Sequence, residues 1–441
     1  MLSVAIIISL IVGAGIGVAA APSIFPQPAA PGAATTTVER TTTVTRTAVS
    51  TTTVKAAGLS GDIYIGALLP LTGDLASYGE NSKVAVEVAA AEINEWFKKS
   101  GIPLTVKLVI EDTETKPGPA LEKLTSMNAK GIKIVVGPQS SGEVRNIKAY
   151  ADANKILLIS QSSTAPELRI PDDYVFRFCP DDTIQGPATA RVMFEEGIRY
   201  LVPVWRGDAW GDGLYRAAVE RFKELGGNVV EGIRYAPEAK EFSAETRALS
   251  TKVSDLVDKY GADKVGVLYI AFSEAVKFFL QAREYPVLAS VRWYGSDGTA
   301  QLAEFITEPK AAEFAVKTKF INPIFAATKS TKNEKLVSII KEKLGRVPDT
   351  YAMAAYDAVW VSVLSILAVG KYDAEAVKTV LPTISQNYFG ASGWVVLNDG
   401  GDRAFADYEL WIIVKKDGKY DWEHVGTYIF ASDSVSWIKK P

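Results

Sequence analysis

Sulfur and imidazole are almost missing from this chain. Its 441 residues include one cysteine, Cys179, and one histidine, His424. An intramolecular disulfide is therefore excluded, and packing alone must hold the fold together. A Cys/His metal site or a Cys–His nucleophilic pair would need these two residues to meet by chance. Excess charge of one sign is missing too: 48 Lys and Arg against 51 Asp and Glu leave a net −3. No basic surface for nucleic acid is expected from that balance. No repeat of solenoid period is evident. What remains is ample apolar material, 48% of residues, and a length that suits two lobes with appendages.

The first twenty-odd residues lack charge. LSVAIIISLIVGAGIGVAAA (2–21) is about long enough to span a bilayer. Cleavage near Ala19–Ala21 would make residues 1–21 a signal peptide, and retention would make them a membrane anchor. No cysteine follows, so a lipid-modified cysteine is excluded. Residues 22–61 are Pro/Ala-rich and then Thr-rich, a composition that cannot bury enough surface to fold, and they read as a linker or stalk. An anchor with a stalk holds a body outside a membrane, an arrangement of transport or sensing.

From Asp62 the chain alternates between strand-like and helix-like runs. DIYIGALLPL, LTVKLVIED, YLVPVW, NVVEGIRY and KVGVLYI read as strands. NSKVAVEVAAAEINEWFKKSG, PGPALEKLTSMNAKG, GPATARVMFEEG and SAETRALSTKVSDLVDKYG read as helices. The expected fold class is α/β, with mostly parallel sheets flanked by helices in two such units. TKNEKLVSIIKEKLG and YAMAAYDAVWVSVLSILAVG add helices. The tail from GWVVL onward carries hairpin signals at NDGG and KDGK.

Two segments resemble each other: IKIVVGPQSSGEV (132–144) and KILLISQSSTAPEL (155–168). Each is an apolar run, a hydroxyl-rich turn and the expected opening of a helix. Ser140 with Glu143, and Thr164 with Glu167, have capping-box spacing, with Pro166 in the first turn of the second. A strand feeding a hydroxyl-capped helix start gathers N–H and O–H donors, which suits an anion. Successive βα units place both corners at one edge of one sheet.

IGALLPLTGDLASYGENSKVAVEVAAAEIN, the two corners, WGDGL, WYGSDG and TYAMAAYDAV together resemble the leucine/isoleucine/valine-binding protein family. These are type I periplasmic binding proteins that serve ABC importers, and the resemblance covers residues 62–441 in order. It implies two Rossmann-like lobes joined by three crossovers, near 182, 322 and 397. Lobe 1 would be 62–182 with 323–396, and lobe 2 would be 183–322 with 397–441. Where the family often has a cysteine pair, this chain has Glu114 and Ser140.

A free amino acid needs N–H and hydroxyl donors for its carboxylate, and a carboxylate with carbonyls for its ammonium. By the resemblance, Ser141 and Thr164 hold the ligand carboxylate and the carbonyl of Ser162 helps receive the ammonium. Thr164 can serve both groups. Asp297, from the other lobe, would be the ammonium's partner, although an Asp–Gly pair also forms turns for its own sake. The family's type member carries the longer glutamate there. Tyr78, Trp210 and Phe272, expected on loops at strand ends, match cleft-lining positions, and Trp205 is a weaker candidate. Ser140 is expected to cap a helix. Gly142 either lets a ligand approach the backbone or makes a tight helix start.

The expected function is that of an exported, membrane-tethered solute-binding protein of an ABC importer. It would close around a branched-chain, apolar or aromatic amino acid and present it to permease subunits, as a monomer, with no cofactor and no metal. The rivals are the same fold binding an amide, urea-like compound or aromatic acid; a sensory ectodomain, disfavoured because the sequence stops at Pro441 after the tail strands; and a secreted hydrolase. Ser140, Ser141 and Ser163 invite the last, but G-x-S-x-G is missing and His424 is distant in sequence.

Overall fold

Short β-branched runs ending in glycine, proline or hydroxyl residues build the sheets, and amphipathic segments between them build the covering helices. The computed structural model describes residues 59–441. The expected signal or anchor, and the linker up to residue 58, lie outside the described residues.

The first sheet is laid down by β1 (Gly61–Leu69), α1 (Ala76–Ser100), β2 (Leu104–Asp112), α2 (Pro117–Ala129), β3 (Ile134–Val136), α3 (Ser141–Asn154), β4 (Leu157–Ser160) and β5 (Val175–Arg177). Its order is β2-β1-β3-β4-β5, and all its pairings are parallel. Strand order reverses at β1, which opens a crevice outside the carboxyl ends of β1 and β3. The chain then forms α4 (Asp182–Glu195), β6 (Tyr200–Arg206), α5 (Ala209–Glu224), β7 (Asn228–Val229), β8 (Ile233–Tyr235), α6 (Ser243–Tyr260), β9 (Val265–Ile270), α7 (Glu274–Ala282) and β10 (Arg292–Tyr294). This second sheet is also parallel, in the order β10-β9-β6-β7, with β8 pairing β6. Its own reversal lies between β6 and β9.

Helices α8 (Ala303–Thr307) and α9 (Pro309–Lys317) lead into β11 (Asn322–Phe325). Helices α10 (Thr331–Leu344), α11 (Thr350–Val369) and α12 (Ala374–Gln386) follow, and α11 packs on both α1 and α12. Helix α11 is apolar over a length that could cross a membrane, yet 72% of that window is buried, so it is a core helix here. Strand β11 then joins β12 (Tyr408–Lys416), β13 (Lys419–Ile429) and β14 (Ser434–Trp437) in an antiparallel sheet of order β11-β12-β13-β14. The β12–β13 hairpin turns at Asp417 and Gly418, φ 51° and 79°, which is the left-handed pair that KDGK implies.

Several local expectations are corrected. Helix α1 starts at Ala76, five residues before Asn81, so Tyr78 lies in a helix and not a loop. Gly79 suggests a loop, but it serves close packing: a Cβ there would stand 2.0 Å from Pro70 O. Trp210 likewise lies in the first turn of α5, capped by Asp208, and a Cβ on Gly211 would meet Arg206 O at 1.9 Å. The second corner opens only a 3-10 turn, Pro166–Leu168, with no side-chain cap. Pro171 disfavours helical geometry at Ile170 and stops it there. NVVEGIRY breaks into β7 and β8, because Gly232 packs against Trp205 and Pro203. GWVVL forms only the isolated bridges Phe389–Trp394 and Leu397–Arg403 around the NDGG turn.

Candidate functional site

Both crevices open onto one cavity, with about 260 Å³ of space free of protein atoms. On the side of the first sheet, Leu75 and Tyr78 come from the chain after β1, Gln139, Ser140 and Ser141 from the β3–α3 corner, and Ser162 from the loop after β4. Tyr351 enters from the first turn of α11. On the side of the second sheet stand Trp210 after β6, Phe272 after β9, and Asp297 with Gly298 after β10. Six of the seven candidate residues therefore meet at one cavity: Ser141, Ser162, Asp297, Tyr78, Trp210 and Phe272.

Thr164 lies one layer behind. Its N–H donates to Ser141 Oγ (3.1 Å), its carbonyl accepts from Asp182 N (2.9 Å), and its buried Oγ1 has no partner among the described residues. The corner is thus stitched differently from expectation. Ser141 Oγ accepts from Ser163 Oγ at 3.0 Å and from the N–H groups of Thr164 and Ala165 at 3.1 Å. Those two N–H groups are consumed within the protein, and the Ser141 hydroxyl keeps its proton to donate. Ser140 and Glu143 close a full capping box on α3, so Ser140 caps as its spacing implies. The macrodipole of α3 still favours negative charge at this corner.

Asp297 is 3% exposed. Its Oδ1 accepts from Gln185 Nε2 at 2.7 Å and its Oδ2 from Tyr351 Oη at 2.5 Å. Burial lifts its pKa to about 6, against the donors that favour its charge. Asp182, at the start of α4, is fully buried, and one of its carboxylate oxygens has no partner among the described residues. Burial first, and then the charge of Asp297, hold Asp182 well above the ordinary carboxylate range. Their mutual repulsion disfavours ionisation of both at once. Asp182, Gln185, Gln139 and Tyr351 escaped the sequence reading. The only available signals were that Tyr351 stands in TYAMAAYDAV and Gln139 in GPQSSG.

Aromatic rings form the rest of the wall. Trp210 stacks on Phe272 at 4.5 Å between centroids, and the Arg206 guanidinium lies over Phe272 at 4.6 Å. Trp205 instead stacks on Tyr215 and takes no part in the cavity lining. Gly142 has open space where a Cβ would project. The two walls touch directly. Tyr78 Oη reaches the carbonyl oxygens of Asp297 (2.9 Å) and Ala300 (2.5 Å), and Ser77 Oγ donates to Glu304 at 2.8 Å. At the rim, Arg206 pairs with Asp74 at 3.2 Å. Among the described residues, no three His, Cys, Asp or Glu side chains converge as metal ligands.

Two parallel sheets with their switch points facing one small cavity, built by residues in this order, match a known family model, described as periplasmic binding protein, over residues 62–409. The chain belongs to the periplasmic binding proteins. Its fold is that of the type I class, and the family consists of extracytoplasmic solute-binding proteins that work with ABC transporter permeases. An uncharacterized protein of Methanocaldococcus jannaschii is 34% identical over 405 residues, covering 88% of this chain and 94% of its own. The Leu/Ile/Val-binding protein BraC3 of Rhizobium johnstonii is 28% identical, covering 79% and 91%. A solute-binding protein of R. palustris, solved in complex with benzoate, has a TM-score of 0.66 at 19% identity, covering 82% of this chain and 96% of that one.

Proposed function

We propose that this protein binds a free α-amino acid in the cavity between its two sheets, closes around it and delivers it to an ABC importer. The observation that carries this reading is the pairing of opposite chemistries across one small space. The Ser141 hydroxyl and the start of α3 offer donors for a carboxylate, and Asp297 offers negative charge for an ammonium. A simple aromatic acid such as benzoate would satisfy the first end and leave the second unmatched, the buried Asp297 carboxylate facing a neutral ring.

The lobes that move would be 62–182 with 323–396 and 183–322 with 397–441. The direct contacts of Tyr78, Ser77 and Asp74 with the opposite wall belong to the closed form, which a ligand touching both walls stabilises. Thr164 acts by holding Ser141, while Tyr78, Trp210 and Phe272 line the solute. The carbonyl of Ser162 faces the ammonium. No catalysis is proposed. The serines of the corner have no histidine beside them, since His424 Nε2 engages Gly426 O at 2.8 Å within β13. A tether through residues 1–21 and a monomeric state complete the reading.

A thermal-shift screen of the full chain against the amino acids and small carboxylates tests it. Stabilisation by one or a few amino acids, lost in Asp297→Ala, is expected. Hits confined to uncharged amides or aromatic acids would overturn the amino-acid reading.

A further inference from the structure

The wall contributed by the first sheet is more polar than an aliphatic solute needs. Beyond Ser141, which the carboxylate would use, it presents Gln139, Ser140 and Ser162. Gln139 is the most constrained of these. It is fully buried, and its Oε1 accepts from Gln161 Nε2 at 3.1 Å, which fixes the plane of its amide. The backbone behind it is fixed as well, because Ser160 Oγ donates to the Pro138 carbonyl at 2.7 Å. That arrangement leaves the Gln139 Nε2 group buried at the cavity wall, with no acceptor among the described residues. A buried donor without an acceptor is costly, and a site that carries one discriminates strongly for a ligand that supplies the missing partner.

Resting on the amino-acid reading above, we infer that Gln139 reads the solute's side chain, and that the cleft takes an amino acid with a hydroxyl or carboxamide side chain in preference to an aliphatic one of the same shape. The stacked Trp210 and Phe272 rings then close over its apolar flank, and the carboxylate and ammonium ends stay as already described. This departs from the branched-chain, apolar or aromatic side chain expected from the sequence.

Calorimetric titration of the full chain with two isosteric pairs, threonine against valine and asparagine against leucine, decides the matter. The polar member of at least one pair is expected to bind about tenfold to hundredfold tighter, the range set by one buried hydrogen bond made or lost. Gln139→Leu should bring that ratio to within about twofold or invert it, with the circular dichroism spectrum retained. The wild-type ratios decide even if Gln139→Leu fails to fold. Equal or tighter binding of valine and leucine to the wild type would overturn the inference and leave the amino-acid reading standing. Binding of none of the four but of another amino acid lacking a hydroxyl or carboxamide would overturn the inference alone, and binding of no amino acid at all would overturn both.

Discussion

The phenol of Tyr351 and the carboxylate of Asp297 meet at 2.5 Å, joining the first turn of α11 to the loop that follows β10. Tyr351 is thereby committed as a donor, and Asp297 is held in one orientation beneath the cavity. The bond crosses from one wall to the other, so it belongs to closure as well as to the charge of the site.

Removing that donor isolates the effect. In Tyr351→Phe, Asp297 loses a group that favours its ionised form, so its pKa should climb further above 6. Affinity for the amino acid at neutral pH should drop roughly tenfold to hundredfold, the usual range for a hydrogen bond to a charged group. Isothermal titration at pH 7 measures the loss. An unchanged affinity would mean that Asp297 does not depend on its tyrosine.

Affinity should also depend on pH, with a sign set by Asp297. A carboxyl lifted to about 6 is protonated at pH 5 and ionised at pH 7. Only the ionised form attracts an ammonium, so binding should tighten about tenfold between those values. In Asp297→Asn the profile should flatten over the same interval. Tightening on acidification would contradict an ammonium partner here.

Stability should respond to Asp349 in the opposite direction. This residue caps α11, accepts from Asn81 Nδ2 at 2.7 Å, and is lifted by burial to about 6. Its folded pKa exceeds the ordinary 3.8, so the folded chain holds the extra proton. Its stabilising contribution is present at low pH and lost as pH rises through the interval from about 4 to 6. Asp349→Asn keeps a cap without the buried charge, and Asn81 Oδ1, which has no partner among the described residues, can turn to meet the new amide. The variant should melt a few degrees higher than wild type at pH 8, with a clearly smaller gain at pH 4.5, as read by circular dichroism.

Ser140 and Ser141 are neighbours with separable tasks. Ser140→Ala removes one half of the capping box and should cost about 1 kcal/mol of stability, with ligand affinity little changed. Ser141→Ala removes the acceptor of three donors and the hydroxyl that faces the cavity, so stability and affinity should both fall. Urea melts beside titrations of the two variants check the contrast.

Arg177 and Asp402 form a buried bidentate pair, Nε–Oδ1 2.5 Å and Nη2–Oδ2 2.6 Å, and Arg177 Nη1 also holds the carbonyls of Ser163 and Ala165. The pair ties the ligand corner to the segment leading into β12. Arg177→Met leaves Asp402 buried and unpaired and should cost about 3–5 kcal/mol. Denaturant unfolding reads that loss directly.

Much of the architecture is legible in the sequence. Strand and helix runs, the KDGK hairpin and the class of fold follow from periodicity and turn chemistry, and the resemblance supplied the two-lobed plan. Glycine misled at Gly79 and Gly211, because close packing against a carbonyl and loop flexibility leave the same residue in a sequence. The second corner misled through Thr164 and Glu167, whose spacing suits a cap while Pro171, just beyond, forbids a helix long enough to use it. Asp182, Gln185 and Gln139 were invisible for another reason. Their meaning comes from burial and from missing partners, properties of the assembled interior that residue type and spacing do not carry.

The central claim is that one end of the cavity reads an ammonium. It is tested most directly by titrating the full chain, in one calorimetric series at pH 7, with the amino acid that binds best and with the same acid lacking its amino group. The amino acid is expected to bind at least about a hundredfold tighter, since the second compound leaves the buried Asp297 facing no cation. Equal affinity for the two would contradict the claim.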